Sequence, residues 1–231
     1  MLASVHIADL GPRRSLPLVA KRPSRITAPG LRHAELGLAA PLSASLRPKP
    51  DLGRVALVAF WDDDGALDRF LADSPVAAAL AGGWSVRLEP LRAWGGWPGL
   101  PDDLPKSRTI EHDGPVAVLT MGWVKPTRLV PFIRASAKAE GQVVDAPGLM
   151  WATGLARPPF VSTCSLWESS DATRAYAFAA GHAHNDAIAI GRAKPFHKRE
   201  AFIRIRPYAM TGHLDGGNPL PESIAAEIAP T

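Results

Sequence analysis

Few residues in this chain could do chemistry, and His184 is foremost among them. Phe160 to Trp167 (FVSTCSLW) has strand composition, and Glu168-Ser169-Ser170-Asp171 supplies the cap residues and negative charge a helix N-terminus favours. An alanine-rich run from Ala172 to about Arg192 predicts the helix, and Phe202 to Tyr208 (FIRIRPY) predicts a second strand. At about 100° per residue, His184 shares a helical face with Ala177, Ala180, Ile188 and Gly191. A histidine among small side chains leaves room for something bulky. It could ligate a metal or move a proton, although a histidine simply hydrogen-bonded under a loop is the ordinary alternative. In the last strand Arg204 and Arg206 alternate with Ala201, Ile203 and Ile205. The two arginines are either a solvated strand end or a pair of cations facing an anion.

Other constellations carry less. His182 and His184 lie two apart, so on a helix they diverge and cannot share one metal ion. Asp62-Asp63-Asp64 reads as a helix N-terminus. Cys164, the single cysteine, excludes an internal disulfide and sits in an apolar strand as a small core residue. Ser162 and Ser165 lack a nucleophile-elbow pattern, and neither a GxGxxG fingerprint nor an iron–sulfur cysteine cluster is present. The seven tryptophans read mostly as core or rim, with Trp94-Gly95-Gly96-Trp97 placed to edge a pocket for a planar ligand.

The 231 residues are 46% hydrophobic and 21% charged, which is globular composition with length for one large domain or two small ones. The net charge of +4 is scattered in pairs such as Arg13-Arg14 and Lys198-Arg199, so no nucleic-acid partner is expected. No leader-like pattern and no membrane-length apolar run is evident, which predicts a cytoplasmic protein whose membrane contact would be peripheral.

The elements repeat. Val5 to Val19 aligns without gaps on Leu119 to Ile133, sharing Pro-x-Arg-x-apolar-Pro. Pro29-Gly30-Leu31 with Gly37 aligns on Pro147-Gly148-Leu149 with Gly154, and Val55 to Phe70 on Val161 to Tyr176, pairing Trp61 with Trp167. Val86 to Leu91 aligns on Ile203 to Tyr208, pairing Arg87 with Arg204. An offset of about 106–118 residues is far beyond solenoid periods, so it implies a duplicated βαββαβ unit. The expected fold is therefore α+β: two tandem ferredoxin-like repeats, 1–97 and 115–208, packing their bare sheet faces into a barrel within one chain. Residues 98–114 read as a linker and 209–231 as a C-terminal tail. The helix near Leu16 to Arg22 should stop at Pro23, and Pro75 should end or kink the next one. No histidine in the first repeat matches His184, so any site belongs to the second.

Ser165-Leu166-Trp167, Ala177-Phe178-Ala179, His184-x-x-Ala187-Ile188, the following Glu200, Phe202 and Arg204, and Gly212-x-x-Asp215-Gly216 with Pro219 together resemble the spheroidene monooxygenase (carotenoid ketolase) family. Pro29-Gly30-Leu31 and Val55 to Trp61 extend the likeness into the first repeat. The resemblance implies an O₂-dependent monooxygenase acting on a hydrophobic, carotenoid-like polyene. It implies haem as cofactor, with His184 as the iron's axial ligand and Arg204, with Arg206 beside it, facing a propionate. Electrons would come from an external donor. His197, preceded by Phe196, departs from the family pattern and is a second candidate for acid–base chemistry. Two other readings stay open on the residues themselves: a cofactor-independent barrel oxygenase using His184 or His197 as base, and a non-catalytic ligand-binding barrel.

Overall fold

A computed structural model describes residues 1–21, 28–42, 51–107, 112–178, 195–215 and 217–220. The first half runs β1 (Leu2–Asp9), α1 (Pro12–Val19), β2 (Leu31–Ala40), β3 (Arg54–Trp61), α2 (Asp64–Asp73), α3 (Pro75–Leu80) and β4 (Trp84–Gly95). The second runs β5 (Val116–Val124), a 3₁₀ turn and α4 (Leu129–Val143), β6 (Leu149–Arg157), β7 (Phe160–Trp167), α5 (Ser170–Phe178) and β8 (His197–Thr211). The eight strands close into an antiparallel barrel in the order β1-β3-β2-β6-β7-β5-β8-β4. Each half contributes the ferredoxin-like strand order, and the halves join where β2 meets β6 and β4 meets β8. The α+β barrel is the fold the repeat predicts.

The ladders of the two halves match residue for residue. Val5 pairs with Val58 and Val86, while Leu119 pairs with Cys164 and Ile203. Trp61 ends its strand opposite Leu2, and Trp167 ends its own opposite Val116. The tryptophans stack on Phe70 and Tyr176, with ring centroids 4.9 and 5.4 Å apart. Gly30 and Gly148 both adopt positive φ, 81° and 78°, and both lie against an alanine of the following helix, Ala66 and Ala172. One pairing needs correction. A bulge sits at the same place in β2 and β6, and counting from it Gly37 corresponds to Leu155, so Gly154 is the counterpart of Leu36, stands opposite Thr163 (the counterpart of Leu57) and faces the other way. A one-residue slip in a strand exchanges its two faces.

Other boundaries also shift. α1 begins at Pro12 and ends at Val19, tolerating Pro17 within it; Pro23 lies outside the described residues. Ser74 ends α2 and caps α3 before Pro75, as the proline requires. β8 continues to Thr211, and Leu214 and Leu220 are buried in the barrel core, so the described part of the C-terminal segment is built into the fold. Leu100 and Leu104 of the predicted linker pack on that core as well.

The barrel interior is filled. Val5, Val58, Val86, Leu119, Cys164, Ile203 and Ile205 meet there, and burial pushes the Cys164 thiol up to about 12, which makes it inert. Glu35 is fully buried where β2 and β6 diverge, accepting from Arg157 at 2.7 Å and pairing with His33 at 3.0 Å. Burial alone would raise its pKa, but the bonds to His33 and Arg157 outweigh burial and hold it below the ordinary carboxylate range.

Two outcomes follow from these contacts. Alanine at Gly30 or Gly148 should each cost about 1–3 kcal/mol in urea unfolding, through strained φ and the clash with the facing alanine, and the two costs should add. Glu35 contributes stability that is present above the unfolded glutamate pKa of about 4.3 and lost as pH falls through its lower native value. Glu35→Gln should remove that acid-dependent loss from the stability–pH curve; an unchanged curve would show that the carboxylate carries no such charge.

Candidate functional site

The inward side chains of both halves pack as one cluster, and it is on the outward faces of the sheet that the two halves differ. The first half fills its outward face. Leu31, Leu36, Val55, Leu57 and Trp61 meet Leu67 and Phe70 of α2 and Leu80 of α3 in a continuous buried cluster. Among the described residues, the second half does not. Its outward rows, read across β6, β7, β5, β8 and β4, are Gly154–Thr163–Thr120–Phe202–Trp94 and Ala152–Ser165–Val118–Arg204–Arg92. The row equivalent to the first of these begins Leu36–Leu57–His6 in the first half. Two leucines are thus replaced by glycine and threonine.

α4 lies over this face, tied to α5 by the Tyr176 hydroxyl donating to the Ala139 carbonyl at 3.1 Å. It is an uninterrupted fifteen-residue helix, yet it buries only Ala137 and Val143. A helix covering a sheet normally buries an apolar stripe along its whole length. Among the described residues, α4 and the small-residue rows form two walls with few side chains between them.

His197 stands at one end of this face. A bulge in β8 beside Val124 turns it outward, onto the side carrying Glu200, Phe202 and Arg204. Its Nδ1 bonds the Glu200 carboxylate at 2.9 Å, and Phe132 of α4 packs against the ring with centroids 5.1 Å apart. Gly122 lies under the imidazole, where a Cβ would meet Cδ2 and Nε2. The bond to His197, despite some burial, holds the Glu200 carboxyl below its usual range. This is a positioned imidazole with a carboxylate partner, the arrangement of an acid–base group.

Arg204 stands toward the other end, seven residues along β8, or about 23 Å at roughly 3.3 Å per residue. It is only 7% exposed, and among the described residues no carboxylate pairs with it. Burial, with Arg92 and Arg174 nearby, pushes its pKa down to about 10. His197 and Arg204 therefore share a face but not a small site; only a long or flat ligand spans both. Arg206 differs, because Glu89 across the β4–β8 seam accepts from it at the surface. His184 and His182 lie outside the described residues. Sequence reasoning missed His33, Glu35 and Arg157, which carried no motif, and it missed Arg92 and Arg174, whose proximity to Arg204 arises only from the fold. Asp63 caps α2 through the Ala66 amide at 2.8 Å, as the acidic triplet implied.

No protein-family model matches the chain. It is 26% identical over 185 residues to a spheroidene monooxygenase of Cereibacter sphaeroides, covering 78% of this chain and 57% of that protein. It is 29% identical over 195 residues to a spheroidene monooxygenase of Rubrivivax gelatinosus, covering 81% of this chain and 73% of the relative. The match thus spans little more than half the length of the first relative. Among solved structures, an aldoxime dehydratase superposes with a TM-score of 0.50 at 10% identity, covering 89% of this chain and 80% of that one, which is a likeness of fold. No helix among the described residues is long and apolar enough to cross a membrane.

Thr163→Leu restores the first-half residue Leu57 to the outward face. It should leave Tm within about 2 °C of the parent while weakening the binding of a flat apolar ligand such as hemin. Undiminished hemin binding would show that the small-residue rows are not the site.

Proposed function

We propose that this chain, a relative of the spheroidene monooxygenases, is an O₂-dependent monooxygenase that oxidises a hydrophobic, polyene-like substrate on the outward face of its second half. The observation that carries the reading is that face: small residues under a sparsely packed helix, where the equivalent face of the first half is filled with leucines. The sequence relationship to two proteins of that name supports the reaction class.

Oxidising an unactivated C–H bond exceeds what side chains do alone, so a redox group is needed. The residues present fit haem: a face lined by the small side chains of Ala152, Gly154, Thr163 and Ser165 leaves room for a flat macrocycle, and Arg204 is a buried cation able to hold an anionic edge. His184, by resemblance, is the residue to hold the iron, and Arg206, engaged by Glu89, contributes at most to the rim. Haem when bound supplies O₂ activation, with electrons from an external donor. The protein's own share is to exclude water with α4, orient the ligand between the His197 and Arg204 ends, and offer Trp94 and Phe202 as an exposed apolar approach for a substrate arriving from solution or a membrane surface.

One observation favours a second reading. The His197–Glu200 pair is positioned to take a proton from an acidic substrate, whose enolate could then react with O₂ without a cofactor.

The deciding experiment is an absorption spectrum of the purified protein titrated with hemin, followed by O₂ uptake with a reductant and an apolar polyene. The reading expects a Soret band and O₂ uptake, both lost in His184→Ala. Uptake without haem, on an acidic phenol and abolished in His197→Ala, would transfer the function to the second reading. Absence of both the band and the uptake would overturn the oxygenase assignment.

A further inference from the structure

The two halves can be compared at one more point. In the first half Arg87 projects from β4 to the N-terminal turns of α2, where Asp64 accepts from it at 2.6 Å and Asp68 accepts from its other nitrogen. Asp64 also accepts from Tyr208 at 2.9 Å. The arginine is thus neutralised twice within its own half. Its counterpart by strand register is Arg204, since Arg87 pairs with Ser4 as Arg204 pairs with Val118. α5 is seated as α2 is, through the matching Gly148–Ala172 contact and the matching tryptophan stack.

Carrying the two aspartates across by the same register lands on Ser170 and Arg174. One carboxylate has become a hydroxyl and the other a guanidinium. Neither substitution can neutralise Arg204, and the second adds repulsion. Arg92 stands beside Arg204 in the β4–β8 ladder and adds a third cation. Ser170 Oγ is itself buried and has no hydrogen-bond partner. Among the described residues, a buried hydroxyl without a partner and a buried guanidinium without an anion thus occupy the positions that correspond to Asp64 and Arg87, and each is costly alone. Among the described residues Arg174 pairs with Asp171, one turn away on the exposed side of α5, at 2.7 Å.

We infer that Arg204, Ser170 and Arg174, with Arg92 flanking them, form a carboxylate-binding site in which an external anion takes the place that Asp64 and Asp68 hold in the first half. This rests on the reading of the second-half face as the ligand site and names what one end of that ligand must carry. An arginine fork binds a carboxylate with two parallel bonds, the Ser170 hydroxyl donates a third, and the N-terminus of the nine-residue α5 adds a favourable field. The lowered pKa of Arg204 agrees with a cation waiting for a counter-charge. Its sign is informative. A depressed cationic pKa means the charged form costs stability at neutral pH, and a bound anion removes that cost. The carboxylate could be a porphyrin propionate or belong to another acid, and the chemistry of the grip is the same.

The test uses thermal unfolding and binding titrations with hemin, hemin dimethyl ester (propionates masked) and inorganic phosphate. Hemin should raise Tm and bind about ten- to a hundredfold tighter than its ester, the worth of one or two charge-assisted bonds. Ser170→Asp with Arg174→Asp, which rebuilds the first-half arrangement, should raise the Tm of the ligand-free protein and erase the preference for hemin over the ester. Arg204→Met should erase the same preference without lowering the ligand-free Tm. Stabilisation by phosphate with no hemin binding would support the anion site and count against haem. Equal affinity for hemin and ester in the parent, or a preference that survives the double substitution, would overturn the proposal.

Discussion

Closure of the barrel is the constraint from which the rest follows. Eight strands pair in a ring, so no sheet edge remains, and the inward side chains of both halves fill the common interior. Among the described residues, the inward side chains pack against one another as one cluster. The halves differ outside, between the sheet and the helices. A helix that packs tightly there closes the face, and one that packs loosely leaves it available. The two halves of this chain illustrate both choices on the same strand order.

The first half is the more finished structure. α2 and α3 cover its sheet with leucines and aromatics, the Trp61 indole donates to Ser4 at 2.9 Å, and Arg87 has its two aspartates. His6, buried beside Ser4, has its pKa lowered to about 4 by burial and by Arg87, so it stays neutral and structural. In the second half the same positions lose bulk and lose complementary charge together. The indole of Trp167 keeps a hydroxyl partner, Ser165 at 2.8 Å, so the frame of the face is preserved. Among the described residues these losses fall in the middle of the face and at its Arg204 end. Loss of bulk and counter-charge in one place, with the frame intact around it, is the pattern expected where a packing surface has been turned into a site.

The fold was readable in the sequence because its repeated devices are local: a glycine before a strand, a tryptophan at the end of the next, an acidic or hydroxyl cap, an aromatic nine residues on. Each is fixed by a contact that both halves keep. The misplaced pairing of Gly37 with Gly154 shows the limit. Glycines carry no side chain to mark a face, and the shared bulge that sets the count is a backbone feature without a residue signature. The outward turn of His197 depends on another such bulge, which is why alternation alone did not place it beside Glu200 and Phe202 on one face.

The site was less readable for a different reason. Arg204 and the replacements at Ser170 and Arg174 all lie within segments that align from the sequence, yet the alignment shows only that residues differ. Their meaning comes from a contact, the one Arg87 makes to Asp64 and Asp68, and that contact joins a strand to helix positions 23 and 19 residues earlier. Once it is seen, the second half can be read as the first with its counter-ions withdrawn. A duplicated fold thus supplies its own reference state: one copy shows how a buried charge is satisfied internally, and the other shows which part of that arrangement has been left for a ligand to complete.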